Sequence, residues 1–325
     1  MTTGVEVFDD ASVSEARGLV RRAAEGSALS RDCIEAAAIV ASELSTNQLR
    51  YARGGRLNVR LLDRDGVPGL EVEADDRGPG IEDPAAAFDG AAGRPGTLGI
   101  GLAGVQRLAA ELDVDIRLGE GTRIVARIFG RSVRRRPTVA VYGSALASEP
   151  VSGDNARFWR GPDSLTVMMC DGLGHGVLAR DAADRALLIA GEDPGASPEL
   201  ILARCASELR RTRGAVIAVA RFDEAGAAVH AASVGNIQMG VRGPGGMVRF
   251  AGGPGFVGSP GAGRPVRPFR VPVPSSATWV FATDGLRDPL GFCAEAPTMA
   301  GWALAQRIFD HGRRQHDDAL VMVVQ

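Results

Sequence analysis

The spacing of apolar and polar positions changes character partway along the chain. In the first part helical spacing is prominent. A short strand near Val5–Phe8 precedes an amphipathic helix around Val13–Ala24. A longer helix is predicted from Arg31 to Ala52, where Ile34, Ala37, Ala38, Ala41 and Leu44 recur on one face. Ser30 stands in the N-cap position and Gly54-Gly55 supply the stop. The alternating runs Arg56–Leu62 and Leu70–Ala74 predict two strands, with Asp63–Gly69 as the hairpin connection. Residues 84–97, rich in Ala, Gly and Pro, read as a mobile loop. A helix opening at Thr97–Leu102 and reaching about Leu112 follows, and strands near Val114–Leu118 and Arg123–Phe129 close this part.

From Thr138 the pattern is rich in strands: Val139–Ala145, Leu165–Cys170, Ala215–Phe222, Ala228–Ser233, Pro268–Val273, Trp279–Ala282 and Ala319–Val324. Helices are expected at Val177–Ala190 and Pro198–Thr212, and 252–267 reads as a long loop. No internal repeat relates the two parts. Between them lies an arginine-rich stretch ending at Pro137, read as a solvated linker over 131–137. The predicted domains are therefore 1–130 and 138–325.

Composition narrows the function classes. The 325 residues suffice for two domains with their own cores. A hydrophobic share of 45%, a net charge of −2 and a pI near 6.1 give no reason to expect nucleic acid or an anionic membrane as partner. The chain contains no lysine, which rules out a lysine nucleophile or a lysine phosphate clamp. The four cysteines, Cys33, Cys170, Cys205 and Cys293, lack the spacing of a zinc site or a disulfide framework. No signal sequence is evident and no apolar run approaches the ~20 residues of a membrane span, so a cytoplasmic protein is expected.

Two sets of residues carry candidate chemistry. In the first half, Glu43 and Asn47 stand one helical turn apart. Asp76-Arg77-Gly78-Pro79-Gly80 follows a strand, and Gly99-Ile100-Gly101 opens a helix, where backbone N–H groups can approach phosphate oxygens. In the second half four acids share one habit: Asp154, Asp171, Asp284 and Asp317 all lie beside strand ends. Carboxylates without accompanying His or Cys ligands favour Mg²⁺ or Mn²⁺ over zinc. Two such ions, about 3.5–4 Å apart, activate water and neutralise a phosphoryl group. Each acid alone would make an ordinary capped turn; four together make chance a poorer account.

The first set resembles the GHKL ATPase superfamily, and within it the anti-sigma-factor serine/threonine kinases, over roughly residues 1–130. The expected fold there is the Bergerat α/β sandwich. The resemblance implies ATP and Mg²⁺, with Asn47 ligating the metal and Glu43 acting as general base or polariser for the attacking hydroxyl. It implies that Asp76, assisted by Thr122, accepts the adenine amino group, while Gly78, Gly80, Gly99 and Gly101 shape the pocket and phosphate lid. The sensor histidine kinases are disfavoured, because His175, His230, His311 and His316 all follow this half. Residues 138–325 resemble the PPM (type 2C) metal-dependent phosphatases of the SpoIIE-like branch, with an expected α/β/β/α sandwich. The matching stretches are Gly153-Asp154, Asp171-Gly172-Leu173-Gly174-His175-Gly176, Val234-Gly235-Asn236, Asp284-Gly285 and Asp317-Asp318. This resemblance implies two Mn²⁺ or Mg²⁺ ions, bridged by Asp171, with the Gly172 carbonyl, Asp154, Asp284 and Asp317 completing the ligands. Asp317 is implied in preference to Asp318, His175 as a loop-shaping residue, and water as the nucleophile. The sequence departs from the branch at Arg213-Gly214-Ala215-Val216, which lacks a usual Gly-Thr, and in a short segment after Asp284.

The leading expectation is a bifunctional partner-switching regulator that phosphorylates and dephosphorylates Ser/Thr on STAS-type anti-anti-sigma or stressosome-like proteins. A sigma factor or a downstream phosphatase is a further implied partner. Two alternatives stand beside it. In one, only the phosphatase is catalytic and the first half is an ATP-gated binding module. In the other, the chain is a non-enzymatic sequestering antagonist.

Overall fold

A computed structural model describes residues 2–89, 101–223, 228–258, 268–272 and 277–325. Gly99, the helix opening at 97–100, the loop stretch 90–97 and the stretch 259–267 lie outside the described residues. The chain divides into two compact units, Met1–Thr138 and Val139–Gln325. No described helix is long and apolar enough to cross a membrane.

In the first unit, β1 (Thr2–Val7), β2 (Gly55–Arg64), β3 (Val67–Asp75), β4 (Glu111–Leu118) and β5 (Gly121–Phe129) form an antiparallel sheet in the order β1-β2-β3-β5-β4. Helices α1 (Asp10–Ala24) and α2 (Arg31–Ala52) pack on one face of it. The Ser30 hydroxyl accepts the Cys33 N–H at 3.3 Å, and α2 has the bounds its periodicity predicts. Its buried Ala37, Ala38, Ala41 and Leu44 belong to the same core as Leu57, Val72 and Ala126 of the sheet. Three expectations are corrected. The β2–β3 connection is the two-residue turn Asp65-Gly66, both at positive φ (54° and 75°), because such a turn matches the twist of the strands. Residues Pro84–Asp89 form the short helix α3, started by the Asp83 carboxylate accepting the Ala86 N–H at 2.9 Å and anchored by buried Phe88. Helix α4 (Gly101–Leu108) stops short of Leu112. The Ala110 N–H donates to the Arg127 carbonyl at 2.8 Å, so Glu111 and Leu112 already belong to β4.

The second unit has two antiparallel sheets. One runs β6 (Val139–Ser144), β15 (Ala319–Val324), β14 (Thr278–Ala282), β11 (Gln238–Gly243), β12 (Gly246–Phe250). The other runs β13 (Phe269–Pro272), β10 (Ala228–Val234), β9 (Ala215–Asp223), β8 (Ser164–Gly172), β7 (Asp154–Arg160). Strand β8 is apolar at nearly every position because both its faces are covered. Val167 and Met169 join the core between the sheets, around Trp279, Phe222 and Phe281. Met168 and Cys170 face the helices α5 (Val177–Glu192) and α6 (Pro198–Glu208). A 3-10 turn, Leu209–Arg211, ends what was expected to be one helix to Thr212. On the first sheet lie α7 (Pro289–Glu295) and α8 (Gly301–Gly312), the latter through Phe309 edge-on to Tyr142 at 5.0 Å. The layers are helix, sheet, sheet, helix. The hairpin β11–β12 and both helices α7 and α8 have no counterpart in the sequence reading.

Candidate active sites

In the first unit the chemistry-bearing residues gather at one end of α2 and of the β3–β5 pair. The Asp76 N–H donates to the Thr122 carbonyl at 3.0 Å, continuing the β3–β5 ladder by one step. Its Oδ1 accepts from the backbone N–H groups of Gly78 (2.8 Å) and Thr122 (3.2 Å). Among the described residues no donor takes up Oδ2. Burial pushes the Asp76 carboxyl above the usual range, only partly offset by those two N–H bonds. Gly78 is pressed against Ala52, where a Cβ would meet the Ala52 Cβ at 2.6 Å. The Pro79 carbonyl accepts from Gly119, tying the 77–80 loop to the β4–β5 turn. Glu43 and Asn47 are half-buried on successive turns of α2, and the Gly101 N–H at the start of α4 donates to Glu43 Oε2 at 3.1 Å. The structure thus joins Asp76, Gly78 and Thr122 in one group, and Glu43 with Gly101 in another.

In the second unit the acids come from both sheets. Asp154 opens β7 directly opposite Asp171 near the end of β8. Asp284 follows β14 and Asp317 precedes β15, and these two strands pair. Burial, and then the charges of Asp284, Asp317 and Asp318, push the Asp171 carboxyl up to about 7. Burial and then Asp171 hold Asp154 well above the usual range. Burial and Asp284 raise Asp317, opposed by His316 and by the Asp318 N–H. The charges that press hardest on these acids are one another's.

The supports of this cluster include residues that sequence reasoning passed over. The Thr283 hydroxyl, fully buried, donates to Asp154 Oδ2 at 2.7 Å and accepts the Leu320 N–H at 3.0 Å. It therefore holds an acid of one sheet from the other. Asn236 Nδ2 donates to Asp284 Oδ2 at 2.8 Å. Asp318 Oδ1 and Oδ2 accept from the N–H groups of Leu146 and Gly153, both at 2.7 Å, so its carboxylate is spent on two loops while Asp317 keeps a freer role. At Gly285 any Cβ would collide with the Asp318 carbonyl, which brings the 284 and 317 turns together. His175 is exposed, its Nδ1 2.5 Å from Glu149 Oε1. Thr283 was findable as the polar residue ending an apolar strand beside an acid; Glu149 had no sequence signal.

Among the described residues no group of three or more His, Cys, Asp or Glu side chains is already placed to hold a metal ion. The donor set is nevertheless that of a hard cation. It is all carboxylate oxygen, the ligand type magnesium takes, and the charges that raise these acids are mostly one another's. The residues fit such an ion.

Comparison with known proteins adds four likenesses. Residues 7–128 match the histidine kinase-like ATPase domain. The serine/threonine-protein kinase RsbT of Bacillus subtilis (strain 168) is 39% identical over 85 residues, 26% of this chain; the chain spans 64% of that relative's length. A solved chain of the bacterial stressosome, described as a modular system adapted to control secondary messenger signalling, is 26% identical, with a TM-score of 0.54 over 59% of this chain and 100% of that one. The PP2C phosphatase domain of SpoIIE from Bacillus subtilis, solved with a fragment of its regulatory domain, aligns with 82% of this chain and 81% of its own. Its TM-score is 0.51 at 14% identity, a likeness of fold.

Proposed function

We propose, for a chain that joins a GHKL-type, kinase-like ATPase domain to a PPM phosphatase fold, the function of a bifunctional partner-switching regulator. One unit phosphorylates a Ser or Thr of a STAS-type or stressosome-like partner with ATP and Mg²⁺; the other removes such a phosphate with Mn²⁺ or Mg²⁺. The observation that carries the reading is the frustrated acid cluster, with Asp171 raised to about 7 by burial and by its fellow carboxylates. Strongly perturbed groups that share a site are the mark of a functional centre.

Bound divalent ions would supply an activated water and neutralise the phosphoryl oxygens. Asp154, Asp171, Asp284, Asp317 and the Gly172 carbonyl would hold them. Thr283 and Asn236 orient Asp154 and Asp284 through the hydrogen bonds described. Water attacks directly, and a cysteine nucleophile is disfavoured. Cys170 is fully buried and its thiol is pushed well above its usual range, chiefly by burial. In the first unit Asp76, fixed by two N–H groups, would receive an amino group of the nucleotide. Asn47 would face the metal-bound phosphates with Gly78, Gly80, Gly99 and Gly101 around them, and Glu43 would take the acceptor's proton.

Phosphotransfer to purified STAS-type proteins from ATP–Mg²⁺, followed by Mn²⁺, tests both activities. Glu43→Ala should abolish transfer and Asp171→Asn should cut removal by about 10²–10³-fold. Either variant keeping its activity refutes that half. A second reading, a phosphatase with an ATP-gated binding unit, draws support from Glu43 being tied to the Gly101 N–H. ATP binding without transfer to any partner would favour it.

A further inference from the structure

The loop that follows Asp171 is flanked by two charged side chains of opposite sign, and only one of them has a side-chain partner among the described residues. Continuing the β8–β9 pairing, the Leu173 N–H donates to the Gly214 carbonyl at 3.0 Å, which sets Arg213 opposite Gly174. The Arg213 guanidinium then lies across that glycine: a Cβ at Gly174, itself at φ +89°, would meet Nη1 at 2.8 Å. Two residues on, Gly176 admits Glu149 in the same manner, a Cβ there colliding with its carboxylate. Glu149 is matched by His175. Arg213 makes no hydrogen bond or ion pair among the described residues, although several carboxylates stand at the same end of the sheets. Its charge is unspent beside the loop that follows Asp171, at Gly174, three residues from that acid.

We infer that Arg213 holds the phosphoryl group of the substrate over the loop 173–176. The inference rests on reading the carboxylate cluster as a phosphatase centre. Composition adds to it: without lysine, a permanent cation for a phosphate can only be arginine. A guanidinium offers the paired donors that phosphate oxygens accept. Two other arginines, Arg287 and Arg314, lie near the site on the opposite sheet, where their backbone N–H groups bond to the Gly312 and Gly285 carbonyls. Arg213 is the one on the strand pair that carries Asp171.

The test is steady-state hydrolysis of an aryl phosphate and of a phosphoseryl peptide by the full chain with Mn²⁺, together with inorganic phosphate as inhibitor. Arg213→Ala should raise KM and the phosphate inhibition constant by about tenfold to a hundredfold, the scale of a lost charge-assisted contact. Mn²⁺ affinity should stay unchanged, and Arg213→Lys should recover part of the loss. Gly174→Ala, which displaces the guanidinium, should move KM in the same direction in protein whose tryptophan melting shows it folded. Unchanged KM in Arg213→Ala overturns the inference, as does a rise confined to Arg287→Ala or Arg314→Ala. If the wild type hydrolyses neither substrate, the phosphatase reading fails. Calorimetric binding of inorganic phosphate to the Mn²⁺-loaded protein then decides Arg213 by itself: weaker binding in Arg213→Ala supports the contact, and equal binding removes it.

Discussion

Both units gather acidic side chains on a sheet, and they resolve the repulsion in opposite ways. In the first, Glu71, Glu111 and Asp113 are buried beside Arg127, whose Nε bonds Glu71 and whose Nη1 bonds Asp113, each at 2.7 Å. Arg60 takes the other oxygen of Glu71, Arg64 grips Glu111, and the Arg136 N–H adds a third bond to Glu111 at 2.8 Å. Burial alone would raise Glu71; the Arg60 hydrogen bond and the charge of Arg127 outweigh it, and the net shift is downward. In the second unit, Asp154, Asp171 and Asp317 all shift upward, with burial leading and other carboxylates following. Acids matched by arginine hold a sheet together. Acids left unmatched are kept at a cost in stability, and a ligand cation is what offsets it.

The sharpest way to break this contrast is to remove the match. Arg127→Met strands buried carboxylates and should destabilise the first unit by about 3–5 kcal/mol. Calorimetry would show the loss. Tryptophan fluorescence should not, because Trp159, Trp279 and Trp302 all lie in the second unit. A change under about 1 kcal/mol would make the network ornamental.

Asp171→Asn is the mirror experiment. Removing one charge from an unmatched cluster should raise the melting temperature of the metal-free protein, read by tryptophan emission. The same change should cost about 10²–10³-fold in Mn²⁺-dependent hydrolysis and abolish the stabilisation by Mn²⁺. A metal-free variant that melts lower than wild type would mean that Asp171 was already satisfied within the protein.

The difference between the clusters was only half legible in the sequence. The four acids could be found because each lies beside a strand end. That Glu71, Glu111 and Asp113 were buried could not, since their partners Arg60, Arg64 and Arg127 are brought beside them only by sheet register. The expected extension of α4 to Leu112 missed the same fact: Glu111 had already entered β4. Helix starts tell a similar story. Ser30 is legible as a start, yet Ser197-Pro198, Asp83-Pro84 and Asp288-Pro289 use the same chemistry, a side-chain oxygen accepting an early N–H, and none of these caps is named from the sequence. Asp83 and Asp288 open short helices whose apolar stripe is too brief to show a period. Thr283 needed the fold, because its partner Asp154 is 129 residues away.

Thr283 also sharpens the contrast on a smaller scale. It is a neutral donor supplied to Asp154 where the first unit would supply an arginine. Thr283→Val should weaken Mn²⁺ binding about tenfold, the lower end of what orienting partners of metal ligands are worth. Thr283→Ser should restore most of it. Titration of Mn²⁺ by calorimetry measures this without reference to turnover. Equal affinity in the valine variant would assign the hydroxyl to Leu320 alone.

The smallest effect separates the two clusters by the sign of their pH dependence. Asp171 titrates at about 7 in the fold and near ~3.9 in an unfolded chain, so between those values the folded state holds a proton that the unfolded state has released. Stability of the metal-free second unit should therefore rise as pH falls from about 8 through 7, and be lost again on the return. Mn²⁺ reverses the slope, because its ligands must be deprotonated. The gap between loaded and metal-free melting temperatures should widen as pH rises. Glu71 shifts the other way, so its contribution is complete above its unfolded value near ~4.3 and is lost only below it. The calorimetric transition of the first unit should stay level over the same range in which tryptophan emission reports a moving one. A metal-free second unit that loses stability as pH falls from 8 to about 6 would mean that its acids are matched after all, by a cation of the protein's own.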